Sequence, residues 1–267
     1  MSVLSGPAQA EHTLTQDDFA AFARLSGDDN PIHLDAGHAA RTHFGRTVAH
    51  GALLCALLRG LVSDARPGPP LARLAVTFPA PAYADEALVF RADPQDDTRV
   101  RLLAQRQADG QAVCEGVATL APLASSLPPD NGWTDPLGGS TASVTRLYAD
   151  ADLGLYERLT GHRLREPLVL SLFSFLLGTR LPGPGTNYLK QETVFSRRVP
   201  LDAPLDATVT ITRLRPDKRL VDLATVCRIH AGGGRGETVA TGRALVLAPH
   251  WGPERWASHA QMSDCQA

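Results

Sequence analysis

The chain carries one ordered set of structural signals twice, and that repetition constrains its fold more tightly than anything else in the sequence. An almost wholly apolar stretch comes first, residues 51–62 in one half and 168–177 in the other. A Pro/Gly turn follows each, Arg66-Pro-Gly-Pro-Pro70 and Leu181-Pro-Gly-Pro-Gly185. Next comes a strand pattern, residues 71–78 and 188–195, each closing on phenylalanine. Both halves then show an acidic turn (Asp85-Glu86; residues 202–206), two alternating strands (100–106 and 112–120; 220–229 and 237–247) and a final Ala-Pro pair. A helix apolar on nearly every face must be buried all round, and several strands joined by tight turns pair antiparallel. The expected fold is therefore α+β: twice over, a long apolar helix wrapped by an antiparallel sheet. A repeat of this length indicates duplicated domains rather than a solenoid. The Pro-, Gly- and Ser-rich segment 125–143 is the expected linker between domains 1–124 and 144–267.

Composition narrows the function classes. With 43% hydrophobic residues and 20% charged residues, the 267-residue chain can bury two cores. A formal net charge of −2 offers no global attraction for nucleic acid or an anionic membrane, so neither is an expected partner. Cys55, Cys114, Cys227 and Cys265 are scattered and form no Cys-x-x-Cys pair, which argues against a zinc site and a disulfide framework and fits a reducing compartment. No basic, then apolar, leader opens the sequence, and the longest apolar run is too short to span a bilayer; the expected location is the cytoplasm.

The halves differ ahead of the apolar helix. The first has a helical segment over 15–26, with Thr15 as N-cap and Asp18 three residues on, then a polar cluster and a second helical stretch over 35–44. The cluster is Gly27-Asp28-Asp29-Asn30-Pro31-Ile32-His33-Leu34-Asp35, followed by His50-Gly51 at the helix start. The second half has only residues 148–160 and the connector Gly161-His-Arg-Leu-Arg-Glu-Pro167, so one half alone can carry this site. Pro31 pushes Asn30 toward extended backbone and forces a turn there, which can bring Asp28 and His33 to one point. A carboxylate and an imidazole converging on a water supply a general base and a proton shuttle near neutral pH. Asn30 can orient water or reactant. Gly51 opens a helix whose first N–H groups lack intrahelical partners, a ready oxyanion site without a side chain in the way. The plainer alternatives are an Asx-turn at Asp28 to Asn30 and purely structural histidines, with His50 anchoring the helix start.

These residues resemble the R-specific enoyl-CoA hydratases of the MaoC-like family, through Asp28, Asn30, Pro31, His33, Phe44-Gly45 and His50-Gly51-Ala52-Leu53. The second half is similar to the part of that family after the motif, through residues 171–178, 181–185 and 188–195. The resemblance implies two fused hot-dog domains and hydration of a trans-2-enoyl-CoA to the (R)-3-hydroxyacyl-CoA, or the reverse. It implies that Asp28 and His33 activate the water, that Asn30 binds in the same cluster, and that the Gly51 N–H holds the thioester oxygen. No metal or redox cofactor is implied; the CoA thioester is the substrate. Members of the family often carry a serine in the core helix where the first half has Arg59 and the second keeps Ser174. Arg59, Phe173, Ser174, Phe175 and Leu176 are candidate tunnel residues, and Arg197 and Arg198 candidate CoA contacts. A hot-dog thioesterase and a non-catalytic acyl-CoA-binding subunit are the competing functions. A fused pair is expected to stand alone or as a homodimer.

Overall fold

The structure is a computed structural model in which residues 6–123, 140–201, 203–232 and 236–264 are described, with side chains through residue 259. Most of the expected linker, Asp202 of the second acidic turn, and Cys265 lie outside them. The first half runs β1 (Ala8–Thr13), α1 (Gln16–Ser26), α2 (Pro31–Leu34), α3 (Ala36–Ala39), α4 (Gly51–Ala65), β2 (Leu71–Thr77), β3 (Ala87–Pro94), β4 (Arg99–Arg106) and β5 (Ala112–Leu120). The second runs β6 (Thr141–Arg146), α5 (Asp150–Thr160), α6 (Glu166–Thr179), β7 (Asn187–Phe195), β8 (Leu205–Arg215), β9 (Leu220–Ile229), β10 (Thr238–Leu247) and α7 (Pro253–Asp264).

The two apolar stretches become α4 and α6, which pack on each other and on the inner face of one ten-stranded sheet. In α4 only Gly51, Ser63 and Asp64 escape full burial. Each fully buried leucine there contributes on the order of 2 kcal/mol of transfer free energy, which is why so unpatterned a helix is stable only between these layers. The strand order is β1-β3-β4-β5-β2-β7-β10-β9-β8-β6, all neighbours antiparallel. The second half of that order repeats the first in reverse about the β2–β7 junction, where Ala75 pairs with Glu192. The duplication seen in the sequence is thus a pseudo-two-fold axis through the centre of the sheet. It places the start of α4 beside the end of α6, and the start of α6 beside the end of α4.

Local chemistry explains the helix boundaries. Thr15 caps α1: its hydroxyl accepts the Asp18 N–H at 3.2 Å and the Asp18 carboxylate accepts the Thr15 N–H at 2.8 Å, a reciprocal capping box. Gly27, left-handed at φ 80°, ends it, and Gly161 at φ 73° ends α5 in the same way.

Three expectations need correction. The helical stretch over 35–44 shrinks to the single turn α3, because Thr42 takes the Ala39 carbonyl with its hydroxyl and Gly45 turns left-handed. Residues 141–143 belong to β6 rather than to a linker, since Thr141 pairs with Thr210 of β8. Strands β1, β3, β6 and β8 lie outside the expected strands, toward the sheet margins; β8 alternates plainly, with Leu205, Ala207, Val209 and Ile211 buried, as a strand with one solvated face should. No helix among the described residues is long and apolar enough to cross a membrane.

Candidate active site

The turn required by Pro31 is the structural origin of the site. Asn30, extended at φ −51° and ψ 125°, caps α2 by accepting the Ile32 N–H at 3.3 Å, and Pro31 occupies the first helical position, where no N–H is needed. That one-turn helix lifts His33 back over Asp28. The Val48 N–H donates to the Ile32 carbonyl and the Ala49 N–H to Ala82, which pins the segment to the rim of the sheet just ahead of α4. Gln16 ties the turn to α1, donating to the His33 carbonyl at 2.8 Å and accepting from Thr47 at 2.7 Å.

Asp28, Asn30, His33 and His50 are all buried. The imidazole Nδ1 of His33 lies 2.7 Å from the Val48 carbonyl, an atom that can only accept, so Nδ1 carries the proton and Nε2 keeps its lone pair. His50 donates from Nε2 to the backbone carbonyl of Asp28 at 2.9 Å and stacks on His33 with 3.6 Å between ring centroids. The Asp28 carboxylate accepts the Ser174 hydroxyl at 2.7 Å through Oδ2, while Oδ1 has no partner among the described residues; nor has Nδ1 of His50. One ligand-type atom each of Asp28, His33 and His50 lies within 4.8 Å of the other two. Two hydrogen bonds of ordinary length through a single water span that distance. The same three atoms are the only buried group among the described residues with the spacing to hold a metal ion.

Burial sets the proton affinities. It pushes Asp28 up to about 7, against the lowering effect of the Ser174 hydroxyl and the Asn30 backbone. It pushes His33 down to about 4, against the Val48 carbonyl, and holds His50 well below the ordinary imidazole value, with His33 adding to the effect. Near neutral pH both imidazoles are uncharged and Asp28 is poised to gain or lose a proton. This pairing of displaced affinities in one cleft is a mark of acid–base chemistry.

The cluster opens into a cavity of about 310 Å³ lined by Asp28, His33, Gly51, Phe78, Ser174 and Tyr188, among others. Gly51 lies at the first position of α4, where its N–H has no intrahelical acceptor. A Cβ there would lie 2.9 Å from the Phe78 ring, so the cavity wall itself excludes a side chain. The second half builds the opposite wall. Gly178 accepts the Asn30 amide on its carbonyl at 3.1 Å, and a Cβ at Gly178 would come within 2.8 Å of the Asp28 carboxylate. Ser174 and Gly178, one helical turn apart on α6, together cradle Asp28.

Asp28, Asn30, His33, His50, Gly51 and Ser174 therefore come together, and Ser174 reaches the acid itself rather than serving only as tunnel wall. The other expected tunnel and CoA residues do not line this cavity. Phe173 and Leu176 are core residues with no exposure, because α6 turns those faces toward the sheet. Phe175 lies beside Gly27 and under the Arg180 guanidinium. Arg59, Arg197 and Arg198 line a different cavity at the far end of α4. Sequence reasoning missed Gly178. Its signal was present: Ser174 and Gly178 are small residues spaced i, i+4 on an otherwise bulky apolar helix.

Comparisons with known proteins give the family and the fold. Residues 5–116 match the family model described as MaoC like domain. An (R)-specific enoyl-CoA hydratase of Rhodospirillum rubrum is 39% identical over 130 residues, covering 42% of this chain and 87% of that protein. A 3-hydroxybutyryl-CoA dehydratase of Methylorubrum extorquens is 35% identical over 79 residues, 30% of this chain and 44% of that protein. A Mycobacterium tuberculosis protein described as having a double hot-dog fold superposes with a TM-score of 0.68 at 15% identity, covering 91% of this chain and 96% of that one, a likeness of fold. The family match lies on the half that holds Asp28, His33 and Gly51, and the fold match extends over both halves. The chain is a double hot-dog member of the MaoC-like dehydratase family, a hydro-lyase family.

Proposed function

We propose that the protein catalyses (R)-specific hydration of a trans-2-enoyl-CoA to the (R)-3-hydroxyacyl-CoA, or the reverse dehydration. The observation that carries this reading is the pairing of a bare His33 Nε2 with the unpartnered Asp28 Oδ1 in one buried cavity, facing the free N–H at Gly51. In the hydration direction the thioester carbonyl lies against the Gly51 N–H at the positive end of α4, where negative charge developing on its oxygen is favoured. Conjugation with that carbonyl makes C3 electrophilic. A water held between Asp28 and His33 attacks C3 and gives a proton to the ionised Asp28, while neutral His33 accepts the water's second hydrogen bond and fixes its lone pair on C3. C2, now enolate-like, takes a proton back from Asp28. One water is added across the double bond, and Asp28 and His33 finish the cycle as they began. Asn30 holds the cluster to Gly178, and Ser174 keeps the Asp28 affinity from rising further. The names of the relatives support CoA as the acyl carrier.

The test is a panel of trans-2-enoyl-CoAs of increasing chain length, followed by loss of the conjugated enoyl absorbance and chiral analysis of the product. An (R)-3-hydroxyacyl-CoA formed by wild type and by neither Asp28→Ala nor His33→Ala is the expected result. Release of free CoA and the enoic acid, with no 3-hydroxyacyl-CoA formed, would establish a thioesterase instead. Retained hydration in either variant would overturn the assigned roles.

A further inference from the structure

The pseudo-two-fold axis gives the catalytic cavity a counterpart, and that counterpart has been rebuilt rather than closed. It is a cavity of about 370 Å³ where the end of α4 meets the start of α6. Several of its surrounding elements correspond to those of the catalytic site. Arg59 stands on α4 where Ser174 stands on α6. His162 follows the left-handed Gly161, as Asp28 follows Gly27, and packs over Gly60 with Nε2 3.4 Å from Asp64. Arg197 and Arg198 follow β7, where residues 79–82 follow β2 and overhang the catalytic cavity. The 23 residues between Gly27 and the start of α4 at Gly51 are replaced by four between Gly161 and the start of α6 at Glu166, so no acid–imidazole turn covers this end.

Six arginines line the cavity, Arg59, Arg66, Arg163, Arg165, Arg197 and Arg198, with Glu166 as the one carboxylate in its wall. Arg59 is the built element. Its side chain is 7% exposed, it donates to Ser63 and Glu166, and its Nε–H has no acceptor among the described residues; the same is true of Nε in Arg66. Arg66, Arg163 and Arg197 reach carboxylates outside the cavity wall, whereas Arg165 donates to the Val199 carbonyl and neither it nor Arg198 has a carboxylate partner among the described residues. The uncapped N-terminus of the 14-residue α6 opens into the same space. A wall of six arginines against one carboxylate, beside an uncapped helix start, suits an anion with several oxygens.

We infer that this second cavity binds a phosphate-bearing small molecule at a site separate from the catalytic one. The two cavities lie at opposite ends of α4, about 18 Å apart for some twelve residues of helical rise. Occupancy would set anionic oxygens against the Arg165 and Arg198 guanidiniums and the first N–H groups of α6, and hold the α4–α6 crossing from the non-catalytic side.

The test uses the full chain with inorganic phosphate, pyrophosphate or adenosine 3′,5′-bisphosphate as probe, followed by calorimetry at about 0.1 M salt, where long-range attraction is screened. Saturable pyrophosphate binding in the sub-millimolar range is expected, weakened about tenfold or more by Arg198→Glu, with Asp28→Asn without effect. Arg198 has no carboxylate partner among the described residues, so that variant breaks no ion pair of the fold; Arg165→Gln, which likewise breaks none, should weaken binding as well. Preference for the bisphosphate over pyrophosphate would identify a nucleotide rather than free phosphate as the source. Three results would overturn the inference: no saturation by pyrophosphate, equal binding by Arg198→Glu, or probe binding that competes with an enoyl-CoA and so belongs to the substrate's own phosphates.

Discussion

Replacing Asp28 with asparagine tests the electrostatics of the site through stability rather than rate. Asp28 holds its proton to about pH 7 in the folded protein, against an ordinary value of 3.8. Between those values the native state keeps a proton that the unfolded chain has released, so this group makes the protein less stable as pH rises through that window. At about pH 8 the cost is full, and roughly three units of displacement correspond to about 4 kcal/mol. That is a large share of the ~5–15 kcal/mol by which domains are stable. His33 acts in the opposite direction: with a folded value of about 4 against 6.5, it loses stability as pH falls through that range. His50, also lowered, has the same sign as His33, so in the wild type the histidines set the slope below 6.5 and the Asp28 loss emerges above. The asparagine side chain of Asp28→Asn keeps an acceptor for the Ser174 hydroxyl and cannot ionise. The variant should therefore gain stability over wild type progressively from about pH 4 to 8, approaching a few kcal/mol, while losing hydration activity. Urea unfolding followed by circular dichroism at about pH 4.5, 6 and 8 measures the difference. A wild-type-to-variant gap constant across pH would refute the buried, raised carboxyl and with it the acid–base role.

Ser174→Ala removes the hydrogen bond that stabilises ionised Asp28, so the rising limb of kcat/KM against pH, expected near 7 in the wild type, should move up by about one unit; an unmoved limb would show that Ser174 does not act through Asp28. Gly178→Ala drives a methyl toward Asp28 Oδ1 at 2.8 Å and should cost activity on the order of a hundredfold, with the displaced carboxylate visible as a changed pH profile. Gly51→Ala should lower kcat by a similar order by pushing Phe78 into the oxyanion position, and activity within about twofold of wild type would dismiss that site. Thr15→Ala should cost about 1 kcal/mol in urea unfolding with kcat unchanged, since the capping box supports α1 and touches no reacting group.

The repeated order of helix, turn and strands was legible because each signal is local: an apolar run too uniform for a surface helix, Pro/Gly turns, and alternating strands. So was the Asp-x-Asn-Pro-x-His motif, whose turn is dictated by Pro31 and whose members lie within six residues. The marginal strands β1 and β6 were not legible, because six mostly polar residues take their place from the neighbours they pair with; β8 does alternate, with Leu205, Ala207, Val209 and Ile211 inward, and went unread beside the acidic turn. Residues on the second core helix were harder still. Ser174 stood out by analogy and Gly178 not at all, since a small residue on an apolar helix reads as packing until the group it makes room for is known.

The sequence by itself determined the duplication, the two buried helices, the single motif and its acid–imidazole–glycine chemistry. Only the tertiary structure decided that the half without the motif completes the candidate site. The pseudo-two-fold axis lays the end of α6 against the start of α4, so Ser174 and Gly178 hold Asp28 from 146 and 150 residues away. The same axis carries Arg59 away from that site to the opposite end of the helix pair. Burial, which raises Asp28 and lowers His33, is likewise a property of the assembled layers: it depends on what covers a residue, and Ser174 and Gly178, which cover Asp28, lie in the other half of the chain.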